Sequence, residues 1–97
     1  MLSKENILQY LKEYKSLKQD TYSISKIGIF GSYARDEADE NSDIDIVVDF
    51  KKADLYNQIS IMQELEEHFH KHVDVIALWK RMNPKLLSRI QKDAIYV

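Results

Sequence analysis

The sequence predicts an α/β (α+β) fold: a small mixed β-sheet of three or four strands with helices packed on one face, forming a single domain over residues 1–97. Three observations lead there. Short apolar runs rich in β-branched residues occupy 25–32, 43–50 and 72–78, a length that suits strands rather than helices. Two longer stretches, 4–18 and 53–70, carry apolar residues at helical spacing. The second and third strand-like runs have one of those helices between them, so they are expected to be parallel or joined by a crossover.

Residues 4–18 place Ile7, Leu8, Leu11, Tyr14 and Leu17 at helical intervals, and Ser3 is positioned to cap the start. "SKIGIFGS" reads as a first strand ending in a tight turn. "YARDEADENS" is a polar loop with room for one helical turn in its first half. "DIDIVVDF" alternates and then becomes apolar throughout, the mark of a mostly buried strand. From Ala53 to about His70, Leu55, Ile59, Met62, Leu65, Glu66 and Phe69 trace a mainly apolar stripe on a helix. "HVDVIAL" is a third strand. Asn83 followed by Pro84 starts a last helix, an N-cap before proline at the first helical position, and "AIYV" is an extended tail.

Composition narrows the function classes. Net charge is −2, so no global basic field attracts nucleic acid, and an anionic ligand must be gripped locally. Cysteine is absent, which excludes disulfides and thiolate chemistry. No apolar run approaches the length of a membrane span and the first residues lack a signal-like core, so a cytoplasmic protein without membrane contact is expected.

The chemistry concentrates in "IFGSYARDEADENSDIDIVV". Six acidic residues fall within ten positions, and two of them, Asp43 and Asp45, alternate with Ile44 and Ile46. Residues i and i+2 of a strand share a face, with Cα atoms about 6.5–7 Å apart. Two carboxylates roughly 5 Å apart repel by about 3 kcal/mol at an effective dielectric near 20. A divalent cation between them removes that cost, and Mg²⁺ characteristically takes one or two carboxylates together with substrate phosphate oxygens. Asp74, in the opening half of the third strand, joins the pair if the strands are neighbours. Three carboxylates are enough to hold two metal ions for an in-line phosphoryl displacement. Acids at strand ends are also commonly solvated, and Asp49, which shares the parity of Asp43 and Asp45, is read that way.

Only two glycines occur, Gly28 and Gly31. Gly31 before Ser32 at a strand end permits positive φ or close approach of a ligand to the backbone. A helical turn beginning at Ser32 would offer free N–H groups and a hydroxyl to an anion such as the phosphates of a nucleotide. Arg35, one turn later, has reach to the same phosphates or to an acid. A plain strand-to-helix turn with a serine cap is the simpler reading of Gly-Ser by itself.

Gly31 and Ser32, ten residues, then Asp43-x-Asp45 spell G-S-x10-D-x-D. This resembles the signature of the DNA polymerase β-like nucleotidyltransferase superfamily, and in particular its minimal members, the MntA-type antitoxins encoded beside a helical HEPN-domain toxin. The resemblance extends over essentially the whole chain and implies the nucleotidyltransferase fold. It implies that Gly31 and Ser32 hold the triphosphate of ATP, that Asp43 and Asp45 bind Mg²⁺, and that Asp74 completes the metal site and helps activate the acceptor hydroxyl. It further implies AMP transfer to a tyrosine of a partner HEPN RNase, neutralising it. Two alternatives stay open: an antitoxin that acts mainly by steric docking, and a nucleotidyltransferase acting on a small-molecule hydroxyl. Ninety-seven residues and a negative charge leave little with which to grip free nucleic acid, which favours a protein acceptor.

Remaining features have plainer readings. His68, His70 and His72 alternate; His68 and His72 would share a helix face as a possible metal pair, but solvated residues near a helix C-terminus are the simpler expectation. Trp79 beside Lys80 and Arg81 suits base stacking, a partner surface or the edge of the core. Tyr33, next to the glycine-serine turn, is placed to shield it.

Overall fold

The structure is a computed structural model that describes residues 2–97. Its elements run α1 (Lys4–Lys18), β1 (Ile24–Phe30), α2 (Gly31–Ala34), β2 (Ile44–Phe50), α3 (Leu55–Phe69), β3 (Val73–Ala77), α4 (Pro84–Asp93) and β4 (Ile95–Tyr96). The sheet order is β3-β2-β1-β4. β1 is antiparallel to both β2 and β4, whereas β2 and β3, joined through α3, are parallel. The mixed sheet is therefore the four-stranded version of the expectation. No helix is long and apolar enough to cross a membrane among the described residues.

Local chemistry sets the helix ends. Ser3 Oγ accepts from the Asn6 N–H at 3.1 Å while Asn6 Oδ1 accepts from the Ser3 N–H, a reciprocal capping box. Asp54 accepts from the Tyr56 and Asn57 N–H groups and starts α3. Asn83 does the same for α4, whose first residue is Pro84. His70, at φ 56°, closes α3 in the left-handed region and turns the chain back toward the sheet.

The main core lies on one face of the sheet. Ile27 and Ile29 of β1, Ile44, Ile46 and Val48 of β2, and Val73 and Val75 of β3 meet Ile7 and Leu11 of α1 and Ile61 and Leu65 of α3. Alternation puts Phe30 and Val47 on the opposite face, where Met82 and Ile90 cover them. The helices thus divide: α1 and α3 pack on one face as expected, and α4 lies across part of the other. Two expected stripe assignments change. Leu17 is 78% exposed, and on α3 the buried ridge is Ile61–Leu65, while Leu55 and Ile59 are 68% and 39% exposed. Ile59 and Ile61 are about 200° apart around a helix, so only one of them can face the sheet.

Close packing at Gly28 holds the tail. A Cβ there would lie 2.3 Å from the Ile95 carbonyl oxygen, so β4 seats against β1 only because Gly28 has no side chain.

Candidate active site

Inner strand β2 and edge strand β3 carry the acids to one end of the sheet. Parallel pairing sets Asp45 beside Asp74, and antiparallel pairing sets Phe30 opposite Asp45. With Ile44, Ile46, Val73 and Val75 on the core face, Asp45 and Asp74 project together from the other. Asp43 stands one residue before β2, exposed, at the end of the polar loop. The structure therefore brings together the three acids by register rather than by a single strand carrying two of them.

Their side chains are not equivalent. One ligand atom each from Asp43, Asp74 and His72 lies within 4.8 Å of the others. The Asp45 carboxylate is turned toward the β1–α2 turn instead: its Oδ2 would be 2.2 Å from a Cβ at position 31. Gly31 has φ +73°, so glycine is required there twice, for the left-handed backbone and for the space that the carboxylate fills. The turn and the acid expected to work together are thus in direct contact.

Burial pushes the Asp45 carboxyl above the usual carboxylate range, and the charges of Asp74 and Asp43 push it further; Arg89 and Arg35 partly oppose them. Ionised Asp45 is costly as it stands, and a cation beside the three acids would relieve that cost. A donor set of carboxylate oxygens suits a hard divalent ion, with space for substrate oxygens on the exposed side.

His72 is exposed just past the end of α3, as the simpler expectation had it, and the alternative of a metal pair with His68 fails. It lies outside α3, so it does not share a helix face with His68, whose ring stacks on Tyr10 at 3.5 Å. Its Nε2 is 3.0 Å from Asp74 Oδ1 and its Nδ1 is 3.0 Å from Glu66 Oε2. Glu66 is itself held by the Val73 N–H at 3.0 Å. The His72 carbonyl accepts from the Ile44 N–H, which ties the ring's backbone to the start of β2. The charge of Asp74 raises the His72 pKa, with further help from Asp43 and from both hydrogen bonds, against a smaller effect of burial. Arg89 of α4 also went unnoticed in the sequence; nothing in its local pattern distinguishes it from a solvated cation.

Three of the four other loop acids have their own partners. Asp36 pairs with Lys4 at 2.8 Å, Glu37 with Arg35 at 3.0 Å, and Asp39 Oδ1 accepts from the Asn41 N–H at 2.8 Å. Arg35 also pairs with Asp93 of α4 at 2.6 Å, the acid-pairing option expected of it, and this bridges α2 to α4 beside the site. Ser32 is the second residue of α2 and is half-buried. Tyr33, by contrast, does not cover the turn: it is 3% exposed and packs in the main core.

Comparison with known proteins identifies the family. The family profile described as polymerase beta, nucleotidyltransferase, matches residues 5–97. Protein adenylyltransferase MntA of Thermococcus cleftensis is 32% identical over 98 residues, covering 100% of this chain and 98% of that one. A crystal structure of a toxin–antitoxin with AMP-PNP superposes with a TM-score of 0.70 at 25% identity, over 88% of this chain and 69% of that chain. The complex of a tri-AMPylated Shewanella oneidensis HEPN toxin with MNT antitoxin does so with a TM-score of 0.59 at 25% identity, over 91% and 70% of the respective chains.

Proposed function

Because this chain belongs to the polymerase β nucleotidyltransferase family, we propose that it is an antitoxin that transfers AMP from Mg-ATP to a tyrosine hydroxyl of a partner HEPN toxin. Nucleotidyl transfer is the family's chemistry, and protein adenylylation is the activity named for its relatives. The observation that carries the finer reading is the contact of Gly31 with the Asp45 carboxylate, next to Asp43 and Asp74. It supports a triphosphate resting on the Gly31–Ser32 turn while the acids hold its metal.

Asp43, Asp45 and Asp74 would hold Mg²⁺, in keeping with their oxygen donors. When bound, the cation withdraws charge from the phosphate oxygens and lowers the barrier to attack at phosphorus. The acceptor hydroxyl oxygen forms a bond to Pα as the bond from Pα to the bridging oxygen of the β-phosphate breaks. Pyrophosphate leaves with that electron pair, and the hydroxyl proton passes to a carboxylate, the role we assign to Asp74. Ser32 and the amides of the turn orient the phosphates; Arg35, paired with Glu37 and Asp93, ties α2 to α4 beside them.

Mass spectrometry of the partner after incubation with Mg-ATP and this chain tests the reading. One or more additions of AMP are expected, on tyrosine. Addition that persists with the Asp43→Asn/Asp45→Asn variant, or no addition by the wild type, refutes it. Neutralisation of the toxin by that variant at full strength would instead indicate steric docking.

A further inference from the structure

At the other end of the edge strand β3 lies an apolar groove of about 630 Å³, bounded by Leu55 and Gln58 of α3, Leu78, Trp79 and Met82 between β3 and α4, and Leu86 of α4. Leu55 and Trp79 are 68% and 59% exposed, and Tyr56 beside them is 83% exposed. The segments that supply its lining are basic: Lys51, Lys52, Lys80, Arg81 and Lys85, all exposed, adjoin lining residues in the chain. Segments 50–56 and 76–88 contain those five cations and one acid, Asp54, whose carboxylate is occupied in capping α3. Segment 36–45 holds six acids and no cation. A chain of net charge −2 therefore gathers positive charge in the segments that carry the exposed apolar side chains Leu55, Tyr56 and Trp79.

We infer that this groove is the docking site for an acidic amphipathic segment of a partner protein, whose apolar side chains enter between Leu55 and Trp79 and whose carboxylates meet the basic rim. The inference rests on the reading above, in which the acceptor hydroxyl belongs to a protein. Charge complementarity selects the occupant. A two-fold contact between copies of this chain would set the five cations against themselves. Single-stranded nucleic acid needs a phosphate track with successive stacking rings, and here an apolar floor carries one exposed indole. A helix laid in a groove, anchored by apolar groups and flanked by acids, satisfies both features, and an exposed Trp is the residue type that most often anchors such contacts.

Position gives the groove its use. Leu78 follows β3 and still donates its N–H to the Val48 carbonyl, so Asp74 and Leu78 are separated by four extended residues, about 13 Å. A partner held in the groove needs only a short extended tail, about four residues, to bring a hydroxyl to Asp74. Binding there would raise the local concentration of acceptor without enlarging the catalytic site.

Trp79 is the single tryptophan, so 5-fluorotryptophan incorporated into this chain alone gives one ¹⁹F resonance in the groove. Titration with the HEPN partner is expected to shift or broaden it, and Lys80→Glu/Arg81→Glu is expected to raise Kd at least tenfold, more at low salt. Both residues are exposed, so the variant should retain its melting temperature and its affinity for ATP. A partner complex that leaves the resonance unmoved, or whose affinity ignores the charge reversal, overturns the groove and leaves the adenylylation reading intact. No complex with the wild type overturns both. A resonance that moves with a single-stranded RNA or with protein concentration, and not with the partner, overturns the groove in favour of that occupant.

Discussion

Replacing Gly31 with alanine separates the site from the fold. At φ +73° an L-residue costs about 1–2 kcal/mol relative to glycine. The new Cβ would lie 2.2 Å from Asp45 Oδ2, more than an ångström inside ordinary contact. The flexible partner is the carboxylate, which must swing out of its well at a further cost of about 0.5–1.5 kcal/mol. The sum, roughly 2–3 kcal/mol, lowers the melting temperature of a domain this size by roughly 10–20 °C and leaves it folded at 20 °C. Activity should suffer far more, because Asp45 is the group displaced. Calorimetric Mg-ATP titration at 20 °C should show binding lost or severely weakened, with AMP transfer falling at least a hundredfold. An Asp45→Ala background removes the clashing atoms, so Gly31→Ala should cost less there, leaving only the backbone strain. A Gly31→Ala protein that binds Mg-ATP normally, or that costs the same in both backgrounds, would refute the assignment of Gly31 as the seat of the Asp45 carboxylate.

Asp45→Asn should abolish transfer yet stabilise the metal-free protein. The folded-state pKa of Asp45 is raised, so stability falls as pH rises from the unfolded value through the folded one. Repulsion across about 5 Å is worth on the order of 1–3 kcal/mol, so the variant should melt several degrees higher without Mg²⁺, and added Mg²⁺ should raise only the wild type. His72→Ala should lower the turnover of AMP transfer about tenfold with the KM for ATP unmoved, and His72→Gln should recover part of it by returning an N–H to Asp74 Oδ1; equal activity in all three would exclude a positioning role. Gly28→Ala should detach β4, seen as rapid amide exchange at Ile95–Val97, because the Ile95 carbonyl occupies the space a methyl would take. Tyr14, whose hydroxyl donates to Glu64 at 3.1 Å, has a pKa raised by burial and by that carboxylate, so stability is retained below about pH 10 and lost as pH rises further. Urea titrations at pH 8 and 10.5 should show this loss, and Tyr14→Phe should lessen it.

What could be read from the chain and what could not divide along a physical line. Helix starts were legible because Ser3, Asn83 and Pro84 act on groups within three residues of themselves. The stripe on α3 was right at Leu65 but misread at its start, because Leu55 and Ile59 are as apolar as Ile61 and only the position of the sheet decides which is buried. Tyr33 was assigned to the turn by adjacency, yet a helical turn carries successive side chains about 100° apart and sends this one into the core.

The juxtaposition of Asp45 and Asp74 was legible for a stronger reason. Val73 and Val75 must face the core with Ile44 and Ile46, and the side-chain period of a strand then leaves Asp74 no choice of face. Slipping β3 by one residue to misalign the acids would bury Asp74 and expose both valines, so the hydrophobic pattern protects the carboxylate pair. His72 enjoys no such constraint, because it stands one residue before the strand, where parity does not bind it. Its ring is aimed by Glu66, six residues back on α3, and Glu66 is aimed in turn by the Val73 N–H. That chain of contacts exists only once helix and strand have docked. Site residues inside strands are therefore specified by the same apolar residues that specify the fold, whereas those at strand ends depend on tertiary hydrogen bonds that no local pattern encodes.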